Sequence, residues 1–340
     1  MSWLRRAVIA GVLVTAAALP ARLDARERAA PELAPEQMRI AGGLLPLAIS
    51  ADWSRPLPAI TRAVIIVHGK NRDAVPYFQS LQAAAQDAAA TADTLLIAPQ
   101  FLRGHDERQI DLPPGTLTWR GNDWMDDAPD ETAGVASFVA LDAILARLAD
   151  RVLFPHLTRI VVAGHSGGAQ MVQRFAIVTT SPETLSKAGV AVRFVVADPS
   201  SYAYFDEARP VTTGGFAAAD TAMCPAVNRW KYGMADRPPA IASLDVPALE
   251  RRYIQHDVTM LLGGADDDPD QAALDTSCAA EAQGPDRLAR GRHFAAYLEA
   301  RHPGLTIPVL IAPGVGHEGG ALLRSSCGLK ALFSVGRCPD

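Results

Sequence analysis

The apolar positions of this chain fall into two kinds of run. Short, nearly continuous apolar stretches recur at 62–67, 159–163, 192–197, 257–262 and 307–312. Runs of that length, without polar alternation, predict strands buried on both faces. Between them lie longer segments with apolar residues at helical spacing, at about 74–90, 132–149, 168–180 and 285–301. Val135, Phe138, Leu141, Leu145 and Leu148 trace the second of these. Residues 39–55 are expected to hold early edge strands. Alternating strand and helix signals from about 62 to 335 predict one α/β domain with a doubly wound, mostly parallel sheet. The segment 199–255 separates two predicted strands and is too long for a loop alone, which predicts a cap or lid-like insertion.

The local pattern changes most sharply at Gly164-His165-Ser166-Gly167-Gly168, which follows the apolar run 159–163 and precedes the helical run beginning at Ala169. Strand, G-x-S-x-G, helix is the order of a nucleophile elbow. There the serine sits on a strained turn, and glycines are needed where neighbouring backbone approaches closely.

A serine hydroxyl is a weak nucleophile until a histidine takes its proton, and that histidine needs a carboxylate to fix its tautomer. After the strand at 307–312, the loop Pro313-Gly314-Val315-Gly316-His317-Glu318 carries one histidine, so His317 is the expected base. Between serine and histidine, the strand at 257–262 ends in Gly263-Gly264-Ala265-Asp266-Asp267-Asp268-Pro269-Asp270. Asp266 is preferred as the acid over Asp267 and Asp268, although such a cluster also suits a hard cation. Asp198, just after the strand at 192–197, is a competing acid. His165 is not expected to be the base, because adjacent residues on so tight a turn point in different directions. The remaining histidines show no paired ligand spacing, so no metal site is expected.

An acyl-transfer site also needs amide donors for the developing oxyanion. One is expected from Gly167, directly after the serine, and the other from Lys70 in His68-Gly69-Lys70-Asn71, where the strand at 62–67 ends.

With these motifs in place the chain resembles the α/β-hydrolases, nearest in kind to secreted bacterial serine esterases and polyester or polyhydroxyalkanoate depolymerase-like hydrolases. The matching stretches are Val67-His68-Gly69, Gly164-His165-Ser166-Gly167-Gly168, Leu262-Gly263-Gly264-Ala265-Asp266 and Gly314-Val315-Gly316-His317. The resemblance implies the Ser166, His317 and Asp266 triad, the oxyanion roles of Lys70 and Gly167, and no cofactor. The chain departs from parts of that superfamily. It lacks an H-G-G-G motif, and it has Gly167 where many polyester hydrolases carry a larger residue.

Composition narrows the setting. At 340 residues and 49% hydrophobic content the chain can bury a large core. Arg5-Arg6, the apolar stretch 7–19 and Pro20-Ala21 have the form of a signal peptide, expected over residues 1–25, with cleavage after Ala18, Ala21 or Ala25. An uncleaved anchor is the alternative, and Arg5-Arg6 also permits twin-arginine export. A hydrolase domain would then occupy 26–340, in the periplasm or outside the cell, without stable membrane association after cleavage. The formal net charge is −5. Losing residues 1–25 removes three arginines and one aspartate, leaving about −7 and no basic stripe for nucleic acid. Four cysteines in an exported chain predict two disulfides, with Cys224–Cys278 and Cys327–Cys338 the favoured pairing.

Aromatic residues are the expected source of a binding wall. Tyr202, Tyr204, Phe205, Phe216, Trp230 and Tyr232 lie in the insertion, and Trp119 and Trp124 lie in a Gly/Asp-rich loop. Trp119, Tyr202 and Trp230 are the expected substrate contacts. The expected function is hydrolysis of a small or polymeric carboxylic ester through an acyl-enzyme. A peptidase or amidase on the same triad, or an inactive hydrolase fold serving as a binding protein, are the alternatives. Nothing in the sequence specifies an oligomeric state.

Overall fold

Strands β1 (Glu36–Ile40) and β2 (Gly43–Ile49) form a hairpin whose tight turn places Ala41 and Gly42 at positive φ. In the computed structural model, which describes residues 31–339, this hairpin is one edge of an eight-stranded sheet. The expected signal segment lies outside the described residues. Along the chain follow β3 (Arg62–Val67), α1 (Ala74–Asp87), β4 (Thr94–Pro99), the short β5 (Leu102–Arg103) and β6 (Thr118–Trp119), and α2 (Ser137–Leu148). Next come β7 (Arg159–His165), α3 (Gly167–Val178), α4 (Ser181–Lys187), β8 (Ala191–Ala197), β9 (Ala208–Pro210), β10 (Phe216–Ala218) and α5 (Val246–Gln255). The chain then forms β11 (Asp257–Gly263), α6 (Cys278–Glu281), α7 (Arg287–Arg301), β12 (Val309–Ala312), α8 (Gly319–Arg324) and α9 (Ser326–Phe333).

The strand order is β1-β2-β4-β3-β7-β8-β11-β12. From β4 to β12 every pairing is parallel, and β2 pairs antiparallel with β4. This is the doubly wound, mostly parallel α/β-hydrolase architecture. Strand β4 goes beyond the sequence expectation, and all six of its residues are buried.

Side-chain alternation divides the interior into two layers. Ala63, Ile65 and Val67 of β3 face one cluster with Leu141, Phe175 and Phe294, whereas Val64 and Ile66 face a second with Leu81, Leu322 and Phe333. Helices therefore cover both faces, as continuous apolar strands require. Two disulfides join the expected pairs, Cys224–Cys278 and Cys327–Cys338, with Cα separations of 5.8 and 4.4 Å. Among the described residues no helix is long and apolar enough to cross a membrane.

The segment 199–255 holds the β9–β10 hairpin, a series of turns and α5, which packs on α3. Its aromatics face inward. Tyr202 stacks on Phe294 of α7 at 4.7 Å, Tyr204 lies 4.6 Å from Tyr297, and Phe205 lies 5.8 Å from Tyr253 of α5. Tyr202, Tyr204 and Phe205 thereby join the same apolar cluster as Ile65, Phe175 and Phe294.

Candidate active site

The carboxyl ends of β3, β7, β8, β11 and β12 lie side by side, so the loops leaving them converge on one edge of the sheet. In an open α/β sheet that edge is where ligands bind. Ser166 leaves β7 with φ 57° and ψ −115°, a strained conformation for a residue with a Cβ. Its N–H donates to the Ala197 carbonyl at 2.9 Å, and it caps the start of α3. The flanking glycines are dictated by contact. A Cβ on Gly164 would stand 2.2 Å from the Gly168 carbonyl oxygen, and one on Gly168 would stand 2.1 Å from that of Val67.

From this turn the Ser166 hydroxyl reaches His317. Oγ lies 3.0 Å from Nε2, and His317 Nδ1 lies 2.7 Å from Asp266 Oδ2. The carboxylate can only accept from Nδ1–H, which leaves the Nε2 lone pair facing the serine hydroxyl. Asp266 is 3% exposed and Ser166 7%, so the relay is largely shielded from water, with His317 the half-buried member between them. Arg287 of α7 sits 3.4 Å from Asp266 Oδ1 and donates to Gln271 at 3.1 Å. Asp267 and Asp268 are exposed.

Asp198, the competing acid, does not take the Nδ1 proton of His317. It is fully buried and accepts from the Gly263 N–H at 3.0 Å. Burial, then the neighbouring Asp266 charge, pushes its carboxyl well above the usual range. His165 does not contact Ser166 as a base. Its Nδ1 lies 2.6 Å from the Tyr77 hydroxyl and its ring lies 4.7 Å from that of His317. Burial holds its imidazole neutral, its pKa lowered well below the ordinary value, with the His317 and Arg287 charges acting in the same direction.

The loop after β3 is built around Gly69 and Lys70. His68, fully buried, donates from Nδ1 to the Gly69 carbonyl at 2.8 Å and accepts from the Phe101 N–H at Nε2, 2.9 Å away. Burial lowers its pKa to about 4, so it keeps that donor–acceptor polarity. Arg72 donates to the Lys70 carbonyl at 2.8 Å and pairs with both oxygens of Asp106. The Lys70 nitrogen lies 3.1 Å from where a Cβ on Gly167 would stand, so these two amides border the same space beside Ser166.

Ser166, His165 and His317 line a cavity of about 400 Å³ with Lys70, Asp73, Tyr77, Gln271 and Glu318 among its other walls. The expected aromatic contacts are elsewhere. Trp119 is fully buried, packs on Phe101 at 5.2 Å and donates to the Ala128 carbonyl. Tyr202 is fully buried against Phe294, and half-buried Trp230 donates to the Asp126 carbonyl. The physical reason is burial: each large ring completes the core, and a polar lining is left at the cavity.

No local pattern marks Arg287, Tyr77, Arg72 or Asp106, whose roles depend on contacts across 21 to 88 residues. His68 was visible only as part of a strand end. As for a metal, His165, Asp198 and His317 bring ligand atoms within 4.8 Å of one another among the described residues. His317 and Asp198 are already engaged in the hydrogen bonds above.

No family model and no curated protein matches the chain. Solved structures do. The chain is similar to poly(aspartic acid) hydrolase-1 from Sphingomonas sp. KT-1, with 20% identity, a TM-score of 0.61, and coverage of 89% of this chain and 99% of that one. It is also similar to a poly(3-hydroxybutyrate) depolymerase from Bordetella parapertussis, with 20% identity, a TM-score of 0.59, and coverage of 91% and 93%. At that identity the likeness establishes a shared fold over nearly the whole length of all three chains.

Proposed function

We propose that this protein is a serine hydrolase that cleaves carboxylic esters through an acyl-enzyme on Ser166. The observation that carries the reading is the unbroken relay from Ser166 Oγ to His317 Nε2 at 3.0 Å and from His317 Nδ1 to Asp266 at 2.7 Å. In this reading Nε2 takes the hydroxyl proton as Oγ attacks the ester carbon, and Asp266 stabilises the imidazolium. The oxyanion forms beside the amides of Gly167 and Lys70. The imidazolium returns its proton to the leaving alcohol, and water then attacks the acyl-enzyme with His317 again as base. The two named neighbours, both hydrolases of polymers, support the reading through the shared fold.

The lining, in which Lys70, Asp73, Gln271 and Glu318 stand beside Pro76, Tyr77 and Ala273, supports short or polar acyl groups over long alkyl chains. The leader at residues 1–25 and the two disulfides support export to the periplasm or beyond.

The test is covalent labelling of the intact protein by a fluorophosphonate, followed by a panel of p-nitrophenyl esters and aminoacyl amides. Wild type is expected to take one label per chain and to hydrolyse acetate and butyrate esters faster than palmitate. Ser166→Ala is expected to lose labelling and about 10⁴-fold or more in turnover. Labelling of Ser166→Ala at the wild-type rate overturns the proposal.

A further inference from the structure

Arg287 opens α7, and its place there is costly. A cation in the first turn of a helix works against the macrodipole, which favours anions at that end. The side chain is 1% exposed, and its Nε–H meets no acceptor among the described residues. A guanidinium buried in this way is a poor source of stability, because an apolar side chain of similar volume often serves a fold as well. Its value therefore lies in what its fork touches.

Nη1 of Arg287 lies 3.4 Å from Asp266 Oδ1, and Nη2 donates to Gln271 Oε1 at 3.1 Å. The other oxygen of Asp266, Oδ2, faces His317 Nδ1 at 2.7 Å, so the carboxylate is held at both ends. Backbone contacts fix the grip. The Asp286 side chain caps α7 by accepting from the Ala289 N–H at 2.7 Å, and the Leu288 N–H donates to the Asp266 carbonyl at 3.2 Å.

Gln271 carries the same contact to the cavity. Its Oε1 also accepts from the Ala273 N–H at 2.8 Å. Both partners of that atom are donors, which identifies it as the amide oxygen and makes the other end of the amide the NH2 group. Gln271 is half-buried and lines the cavity that holds Ser166 and His317. With its oxygen engaged by Arg287 and Ala273, what it offers a bound molecule is a donor.

We infer that Arg287 is a positioning residue with two tasks: it holds Asp266 in line with His317, and it holds Gln271 so that the NH2 group donates to a substrate carbonyl beyond the scissile ester. The inference rests on the serine-hydrolase reading and narrows it to acyl chains that carry a second carbonyl group. An all-alkyl chain gives that donor no acceptor while shielding it from water, which weakens binding.

The experiment measures kcat and KM on p-nitrophenyl levulinate, whose acyl chain carries a ketone, and on p-nitrophenyl pentanoate, in which a methylene replaces that carbonyl. The variants are Arg287→Met, Arg287→Lys and Gln271→Ala, each with a thermal melt. Wild type is expected to show the lower KM for levulinate, by about 5-fold. Gln271→Ala is expected to erase that preference with kcat within about 3-fold. Arg287→Met is expected to erase it too and to lose about 10- to 100-fold in kcat on both esters, the range for groups that orient a functional side chain from behind. Arg287→Lys keeps the charge but not the fork, so kcat should stay within about 5-fold while the preference falls. In an Asp266→Asn background Arg287→Met should lower kcat by under about 3-fold, since that effect passes through Asp266.

Wild-type kcat and preference in Arg287→Met overturn the inference whatever its melting temperature, and leave Arg287 a structural clamp. A wild type without the preference, or an undiminished kcat loss in the Asp266→Asn background, also overturns it. Should Arg287→Met fail to fold, Arg287→Lys and Gln271→Ala decide: an undiminished preference in either overturns it. Labelling of Ser166→Ala judges the hydrolase reading separately, whatever these variants do.

Discussion

The imidazoles of His165 and His317 lie against each other, with centroids 4.7 Å apart and planes inclined by 34°, and the Tyr77 hydroxyl holds the far ring at 2.6 Å. His317 is thereby supported on one face by a neutral ring whose position is set from α1. Tyr77→Phe removes a hydrogen bond that contributes about 1 kcal/mol and is expected to lower kcat by about 5-fold. His165→Ala removes the supporting ring as well and is expected to cost more, about 10-fold or greater, with KM nearly unchanged. A rise in KM at constant kcat in both variants would instead assign the pair to substrate binding.

The two glycines after Ser166 make opposite demands. A Cβ on Gly168 meets backbone atoms of Val67 and His68 at 2.1 to 2.6 Å, and backbone cannot move without parting β3 from α3. A Cβ on Gly167 meets first the flexible tip of Met125 at 2.5 Å and then the Lys70 nitrogen at 3.1 Å. Gly168→Ala is therefore expected to abolish soluble expression or lower the melting temperature by more than about 10 °C. Gly167→Ala is expected to fold and, on the proposed mechanism, to lose about 10²-fold in kcat by crowding the space beside the Lys70 amide. Melting curves and single-ester kinetics on both variants check the contrast; equal stability losses would refute it.

The contrast also indicates which parts of the molecule were legible in advance. The turn at Ser166, the two later strand-end loops and the loop after β3 are written in short stretches, because close backbone approach imposes glycine locally. Ser166, Asp266 and His317 could be proposed from those stretches, and the structure brings the three within hydrogen-bonding reach. The aromatic wall could not be located, since Trp119, Tyr202 and Trp230 satisfy the same local pattern whether they face a cleft or a core. Only tertiary packing against Phe101, Phe294 and the Asp126 carbonyl resolves that. Arg287 was invisible for a related reason: its buried pairing with Asp266 spans an intervening helix and loop. Strand β4 has no distinct boundary in the sequence, because its run Thr94–Pro99 is flanked by the alanine-rich 88–92 on one side and by Phe101-Leu102 on the other.

The disulfides tie this arrangement together unequally. Cys224–Cys278 closes 54 residues and joins the 199–255 segment to the chain that leaves Asp266. In the chain-entropy description it contributes about 4 kcal/mol, and Cys327–Cys338, closing 11 residues, about 3 kcal/mol. Replacing both Cys224 and Cys278 by alanine is expected to lower the melting temperature more than replacing Cys327 and Cys338, and to slow fluorophosphonate labelling. Titration of unreduced, denatured protein should find no free thiol. Four thiols, or the reverse order of melting temperatures, would contradict this.

Asp127 gives the protein a pH-dependent stability that does not involve Ser166 or His317. Its carboxyl is 3% exposed and accepts from the Phe138 N–H at 3.1 Å. Burial raises its pKa to about 7, with the Asp142 charge adding to the rise and the Phe138 hydrogen bond opposing it. An unfolded aspartate titrates near 4, so between those values the unfolded chain releases a proton that the folded protein keeps. Asp127 therefore favours the fold most below about pH 4, and that contribution is lost as pH rises through about 7. The full loss has an upper bound of about 4 kcal/mol. Asp127→Asn keeps an acceptor for Phe138 without the charge. Its stability relative to wild type should rise steadily from pH 4 to pH 8, measured by urea unfolding at each pH. Asp126, also raised by burial, affects both proteins alike and cancels in that difference, whereas Asp142, whose charge acts on Asp127, cancels only in part. Parallel stability curves for the two proteins across this range would show that Asp127 keeps an ordinary carboxylate pKa in the folded state.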